Sequence, residues 1–199
     1  TIISETRYPG SYHEVQVGVA VKDHLFLNNQ RVGTLNNAVN LFFTIGDHLG
    51  SSDLVTDATG IVTEYRDYKP FGTQALTQVT TDSKNTRRFT DKELDSETAL
   101  QYFGARYLDN GLARFNAVDP LLLSLHNEKG VKKLTGKKLG ELLTDPQALN
   151  SYGYSRNNPI VLVDIDGNWY GAFFTGQQSW KSFQVELGQA AQQLSQDSG

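Results

Sequence analysis

The chain has 199 residues, a formal charge of −4, and apolar and charged fractions of 38% and 20%, both low for a globular domain. That length supports one sizeable core, or a core with a small appendage. The charge gives no electrostatic case for a nucleic-acid or anionic-membrane partner, and the lack of cysteine excludes disulfides, thiolate metal sites and cysteine catalysis. Methionine is also absent, and Thr1 to Pro9 show no basic region leading into an apolar stretch. The expectation is a piece of a longer or processed chain whose export signal, if any, lies outside it. Eighteen glycines with nine tyrosines and ten phenylalanines point to short strands broken by tight turns.

In chain order, Val15, Val17, Val19 and Val21 alternate with Gln16, Gly18, Ala20 and Lys22, a period of two that predicts one strand over 12–21. Leu25–Leu27 reads as a second short strand, Asn28–Gln30 as a turn and Ala38–Ile45 as a third strand. Asp57-Ala58-Thr59-Gly60 separates two β-prone runs and predicts a hairpin, with Asp57 capping the turn and Gly60 in the left-handed region. Pro70-Phe71-Gly72 ends the second strand, and the polar stretch Thr73–Asn85 reads as a surface loop. Arg88–Thr90 predicts a strand, Asp91–Ser96 a turn, and Leu100–Tyr107 a returning strand. Asn110-Gly111 is a strong hairpin signal before Ala113–Phe115.

Beyond Asp119-Pro120 the pattern changes. Glu128–Leu143 carries Leu134, Leu139, Leu142 and Leu143 among five lysines, and a short amphipathic helix is expected within it, near 130–143. The lysines read as a solvated face. Asn150–Tyr154 and Pro159–Val163 read as extended. Trp180, Phe183, Leu187, Ala190, Ala191 and Leu194 fall at helical spacing and predict a C-terminal amphipathic helix over Ser179–Gln196.

Several segments resemble the RHS repeat-associated core domain that closes arrays of YD repeats. Asp47-His48-Leu49-Gly50-Ser51 matches its DHLGS motif. The run from Glu64 to Gly72 matches the tyrosine-aspartate repeat with its PFG turn. Arg88–Asp95 and Gly104-Ala105-Arg106-Tyr107 are similar to the family's RFTGKELD and GARY stretches. Arg114-Phe115 with Asp119-Pro120 looks like its GRF and DP signature. Asn150–Tyr154 with Asn157-Asn158-Pro159 resembles NxYxYxxNNP, and Asp164-Ile165-Asp166-Gly167 its DPxG terminus.

The resemblance implies a mainly β fold of consecutive antiparallel hairpins in a YD/RHS-type spiral sheet. It implies residues 1–39 as the tail of a repeat array, 40–169 as the core, and 170–199 as the start of a variable C-terminal region. It implies a structural terminus of an exported shell that encloses or presents a C-terminal toxin or effector, secreted or at the bacterial cell surface. The implied partners are the upstream repeats and the effector of the same polypeptide. A carbohydrate or cell-surface protein is the partner of an alternative adhesion reading.

A second alternative is self-cleavage of aspartic-protease type near residues 167–170, close to Asn168 or Trp169. By match to the DP motif Asp119 is the catalytic carboxylate, with Asp109 or Asp145 as the second and Arg114 as a charge stabiliser. Such chemistry needs two carboxylates that share a proton and divide acid and base roles around a water. The same Asp-Asn-Gly and Asp-Pro pairs are also ordinary turn formers. The sequence departs from the motifs: Ile165 replaces proline, Asn110 the proline after Asp109, and Ala113 the glycine before Arg114.

No cofactor is expected, since Gly18 and Gly33 lack phosphate-loop spacing. No metal is expected either. A calcium loop starting at Asp164 would require Gly and Glu where Trp169 and Thr175 stand. Tyr65, Tyr68, Phe71, Tyr102, Phe103, Tyr107, Tyr152 and Tyr154 are expected to pack inside the sheet.

Overall fold

A computed structural model describes residues 6–10, 12–18, 20–27, 30–81, 85–168 and 170–172. The helix expected over Ser179–Gln196 lies outside the described residues. The fold is mainly β, as the sequence pattern predicts, and the chain forms two compact units, Thr1–Gln101 and Tyr102–Gly199.

The first unit is built on one antiparallel sheet in which every strand pairs with its sequence neighbours. Its strands are β1 (Thr6–Gly10), β2 (His13–Gln16), β3 (Ala20–Leu27), β4 (Gln30–Asn36), β5 (Asn40–Gly46), β6 (Ser52–Asp57), β7 (Val62–Tyr68) and β8 (Gln74–Val79). The hairpin expected around Asp57–Gly60 is present. The Asp57 carboxylate accepts from the Thr59 and Ile61 amides, and Gly60 takes φ +87°. Two predicted elements differ. The valine-rich run is two strands, because Val17 and Gly18 form a turn with Gly18 at φ +75°. The polar stretch after Gly72 is not a loop throughout: Gln74–Val79 forms β8, held by its register with β7 rather than by burial.

Polarity across this sheet is inverted relative to a simple half-buried strand. On β3 it is Lys22 and His24 that are buried, while Val21 and Leu25 are exposed. The register sets Glu14 beside Lys22, His24 beside Thr34, and Val55 beside Glu64, so one face collects ionisable groups. That face is covered by the segment 85–94, which brings matching charge. The Arg31 Nε donates to Asp91 Oδ1 at 2.7 Å and its Nη2 lies 2.6 Å from the same oxygen, Arg88 lies 4.0 Å from Glu64, and Arg66 pairs with Glu64. The Arg88 carbonyl accepts from Ser52, and Phe89 packs on Tyr68.

Lys22 donates to Glu14 at 2.8 Å, with both side chains 1% exposed. Burial alone would raise the Glu14 carboxyl, but hydrogen bonds from His24 and Lys22 outweigh it and hold the group down at about 2. Burial is thus offset by pairing, the condition under which charged side chains are tolerated inside a protein. The predicted strand Arg88–Thr90 is instead the start of a short 3-10 turn, Phe89–Asp91, that carries these groups over the sheet. The hairpin that follows leads through β9 (Glu93–Leu94) to β10 (Gln101–Tyr102).

The second unit is assembled from short pieces. The predicted strand Leu100–Tyr107 is interrupted after β10, because the chain bends at Phe103–Arg106 with Gly104 at φ +97°. It resumes as β11 (Tyr107–Asp109), which turns at Asn110-Gly111 into β12 (Arg114–Phe115) as predicted. Three helices follow: α1 (Pro120–Leu123), α2 (Glu128–Thr135) and α3 (Leu139–Leu143). The expected single helix is therefore two, separated at Gly136, which caps α2 in the left-handed conformation. Leu121, Val131 and Leu142 meet as their common core. The extended reading of Asn150–Tyr154 gives way to turns, and β13 (Leu162–Asp164) pairs with β14 (Tyr170–Ala172).

Candidate functional site

The site lies in the second unit, where four motif segments converge on one guanidinium. Arg106 is 3% exposed and stands on the bend between β10 and β11. Its Nε donates to the Gly167 carbonyl at 2.6 Å, its Nη1 to the Ser151 carbonyl at 3.0 Å. Its Nη2 lies 2.9 Å from Asp119 Oδ2 and 3.4 Å from Asp164 Oδ2. The plane of the group rests over the Phe115 ring, 3.7 Å from its centroid, a cation–π contact.

Phe115, Phe103 and Tyr154 form an edge-to-face triangle with centroids 5.4–5.8 Å apart, and all three are buried. This triangle is the apolar floor that fixes Arg106. The other aromatics divide: Tyr65, Tyr102, Tyr107 and Tyr152 are substantially exposed, which corrects the expectation that the whole set packs inside the sheet.

The carboxylates are placed by local chain geometry. Asp119 is the N-cap of α1, with Pro120 at the first helical position and Oδ1 accepting from the Leu121 amide at 2.8 Å. Its own amide donates to the Ser151 carbonyl. Asp164 ends β13, and its Oδ1 accepts from the Gly167 amide at 2.8 Å. Gly167 is at φ +75°, and an added Cβ there would stand 3.0 Å from the Arg106 backbone nitrogen. Gly104 carries the opposite wall, with the Asp166 carbonyl 3.0 Å from where a Cβ would sit. Both positions therefore require glycine if the 164–167 loop is to close on the 103–106 bend.

Two carboxylates on one guanidinium do not ionise independently. Burial pushes the Asp164 carboxyl up to about 6, with Arg106 pulling it down and Asp166 and Asp119 adding to the rise. Burial likewise raises Asp119, against the pull of Arg106. Burial thus favours the protonated form of both carboxyls, beside a peptide carbonyl that accepts from the same buried cation. The cleft that contains Arg106, Asp119 and Asp164 is also lined by Asn150, Ser155 and Arg156. It has about 20 Å³ open to a water-sized group, enough for one water molecule.

The other sequence-derived residues sit elsewhere. Asp109 pairs in register with Arg114 across β11 and β12, and its carboxylate accepts from the Leu112 amide, closing the hairpin turn. Arg114 is exposed and bridges in register to Gly153. Asp145 makes a two-pronged ion pair with Arg156 at 2.6 and 2.9 Å and accepts from the Gln147 amide at 3.2 Å. The carboxylate that shares a guanidinium with Asp119 is Asp164, and the shared cation is Arg106. Both belong to motif segments legible in the sequence, but no spacing there assigns either to a carboxylate site with Asp119. The available signal was the presence of an arginine and an aspartate inside two motifs that otherwise hold apolar and turn residues.

No protein-family model matches the chain. It is 29% identical over 116 residues to the tRNA nuclease WapA of Bacillus subtilis strain 168, covering 58% of this chain and 4% of that protein. It is 27% identical over 164 residues to toxin subunit YenC1 of Yersinia entomophaga, covering 80% of this chain and 14% of that one. The chain thus spans only a small part of these relatives. Among solved structures, it is similar to the TcdB2-TccC3-Cdc42 complex, with TM-score 0.63 and 21% identity over 83% of this chain and 8% of that one. It is similar to TcdB2-TccC3, with TM-score 0.62 and 23% identity over 82% of this chain and 8% of that one. The chain is therefore similar to RHS/Tc-toxin-type proteins, and its β-rich fold is one that Tc toxin structures contain.

The raised Asp164 pKa makes a signed prediction. An acid whose folded pKa lies above its unfolded value of 3.8 favours the fold fully below pH 3.8, and that contribution is lost as pH rises through about 6. Urea unfolding across that window should show wild-type stability falling with pH, with the fall reduced in Asp164→Asn. Parallel curves for the two proteins would contradict the assignment.

Proposed function

We propose that the chain is the structural terminus of an exported RHS/YD-repeat shell, one that encloses or presents a C-terminal toxin or effector of the same polypeptide. The observation that carries this reading is the first unit's sheet, in which eight strands pair strictly in sequence order. A sheet of that kind extends by adding the next hairpin, and its edges require cover from neighbouring segments. Similarity to a toxin subunit over 80% of the chain supports the same reading. The upstream repeats and the downstream effector are the partners, and the location is outside the producing cell.

The test uses the parent polypeptide. Sequence beyond residue 172 should be protected from a nonspecific protease when the upstream repeats are present, and cut at least about tenfold faster when they are deleted. Equal cutting rates would remove the enclosing role.

A second reading, self-processing, is favoured by one specific observation. The Gly167 carbonyl is held by Arg106, whose Nη2 reaches both Asp119 and Asp164. In that reading one carboxylate takes the proton of an attacking water, the other carboxyl protonates the departing amide nitrogen, and Arg106 stabilises charge on the carbonyl oxygen. The bond lies within residues 167–170. Asp119 and Asp164 are the working pair, while Asp109, Asp145 and Arg114 shape the surrounding turns.

Intact mass after incubation across pH 4–8 tests it. Wild type should split within 167–170, and both Asp119→Asn and Asp164→Asn should remain whole. A full-length wild-type mass at every pH would leave the structural reading alone.

A further inference from the structure

The sheet of the first unit ends on β8, and among the described residues no strand lies beyond it. All six residues of β8 are exposed. The strand Gln74-Ala75-Leu76-Thr77-Gln78-Val79 contains no charge and no proline. Soluble sheets protect a permanent edge with lysine, proline, a bulge or a covering segment. The opposite edge follows that rule: β1 contains Arg7 and Pro9, and its ladder is irregular between Arg7 and Gly10. The two edges differ in that β8 carries no charge and no proline; its ladder with β7 shifts at Ala75, but Leu76–Val79 run in unbroken register, and no described residue pairs with their outer side.

The register shows which backbone groups are on offer. The Thr80 amide donates to the Thr63 carbonyl at 2.8 Å. Counting along the ladder, Gln78 opposes Tyr65, Thr77 opposes Arg66 and Leu76 opposes Asp67. Alternation then directs the main-chain groups of Leu76 and Gln78 toward β7, and those of Thr77 and Val79 outward.

We propose that β8 pairs antiparallel with β8 of a second copy of this chain, about a two-fold axis at Thr77, so that the two sheets become continuous. In this register Thr77 opposes Thr77 of the second copy and Leu76 opposes Gln78. No like charges are brought together, and a Thr–Thr pair at the centre is a favourable cross-strand neighbour. The strand is self-complementary, which is what a two-fold interface needs. Head-to-tail pairing of β8 with β1 is disfavoured, because Pro9 has no N–H to contribute to a ladder. The inference does not depend on the toxin-associated reading, since it rests on β8 alone.

Sedimentation velocity of the 199-residue chain between about 1 and about 200 µM tests the proposal. The expected result is a concentration-dependent dimer that Thr77→Lys weakens at least about tenfold, by setting two like charges opposite each other. Far-UV circular dichroism of the variant should match wild type, since the residue is exposed. The chain has no cysteine, so Thr77→Cys supplies a clean second probe. It should cross-link to a covalent dimer on mild oxidation, because directly opposed residues fall within disulfide reach, whereas Gln74→Cys should not. A chain that stays monomeric throughout would overturn the proposal. So would a dimer indifferent to Thr77→Lys, or a dimer in which Thr77→Cys fails to cross-link.

Discussion

The second unit depends on the burial of a single cation. Arg106 has no apolar substitute, because its nitrogens simultaneously satisfy two carbonyls and two carboxylates contributed by segments far apart in the chain. The guanidinium is suited to this because its donors are fixed in one plane and its charge is permanent. Removing one partner of such a group leaves an uncompensated buried charge, at a cost of about 3–5 kcal/mol. The turn at Gly104, the N-cap at Asp119, the loop at Gly167 and the aromatic triangle all have this side chain as a common neighbour. The same feature that organises the fold also creates the candidate chemistry: it holds two carboxylates close and polarises a peptide carbonyl beside them.

The first unit solves a different problem with related physics. Its covered face carries Glu14, Lys22, His24, Arg31, Glu64 and Arg66, and each charge is met by a neighbour on the sheet or on the 85–94 segment. Its apolar side chains, among them Leu25, Phe43 and Ile45, are left exposed. A hydrophobic face of this kind is stable in water only at a cost, and exposed apolar patches of this sort mark surfaces that meet other surfaces. Ion pairing of the buried face contributes registry more than net stability, since a slip of one residue on β3 would turn Lys22 and His24 outward and the exposed Val21 and Leu25 inward.

Much of the fold was legible in the sequence because its strongest signals are local. The hairpins at Asp57–Gly60 and Asn110-Gly111 form as predicted, since side-chain caps act within a few residues: Asp57 caps the first with Gly60 left-handed, and Asp109 caps the second, where Ala113 rather than Gly111 takes the left-handed conformation. The mainly β class followed from the same signals. Other elements were set by partners that periodicity does not reveal. The strand β8 looks like a polar loop because nothing buries it, and only pairing with β7 makes it extended. The Phe89–Asp91 turn looks like a strand, but the need to bring Asp91 to Arg31 bends it. The valine run from 15 to 21 has a perfect period of two and still breaks at Gly18, where the hairpin closes.

The candidate site was legible in part, for the same reason. Asp119 stands out because an Asp-Pro pair is a local feature. Its neighbours Arg106 and Asp164 are 13 and 45 residues away in the chain, and only the folded bend and loop bring them together. Asp109 and Asp145 carry equally prominent turn signatures, and in the fold they act within their own turns.

A double-mutant cycle in urea unfolding, combining Arg106→Met with Asp164→Asn, tests the central role of the buried guanidinium most directly. If Arg106 holds Asp164 as the structure shows, the two changes will be non-additive by about 1–3 kcal/mol, with the double variant recovering part of the loss caused by Arg106→Met alone. Additive effects, or an Arg106→Met variant as stable as wild type, would contradict the account.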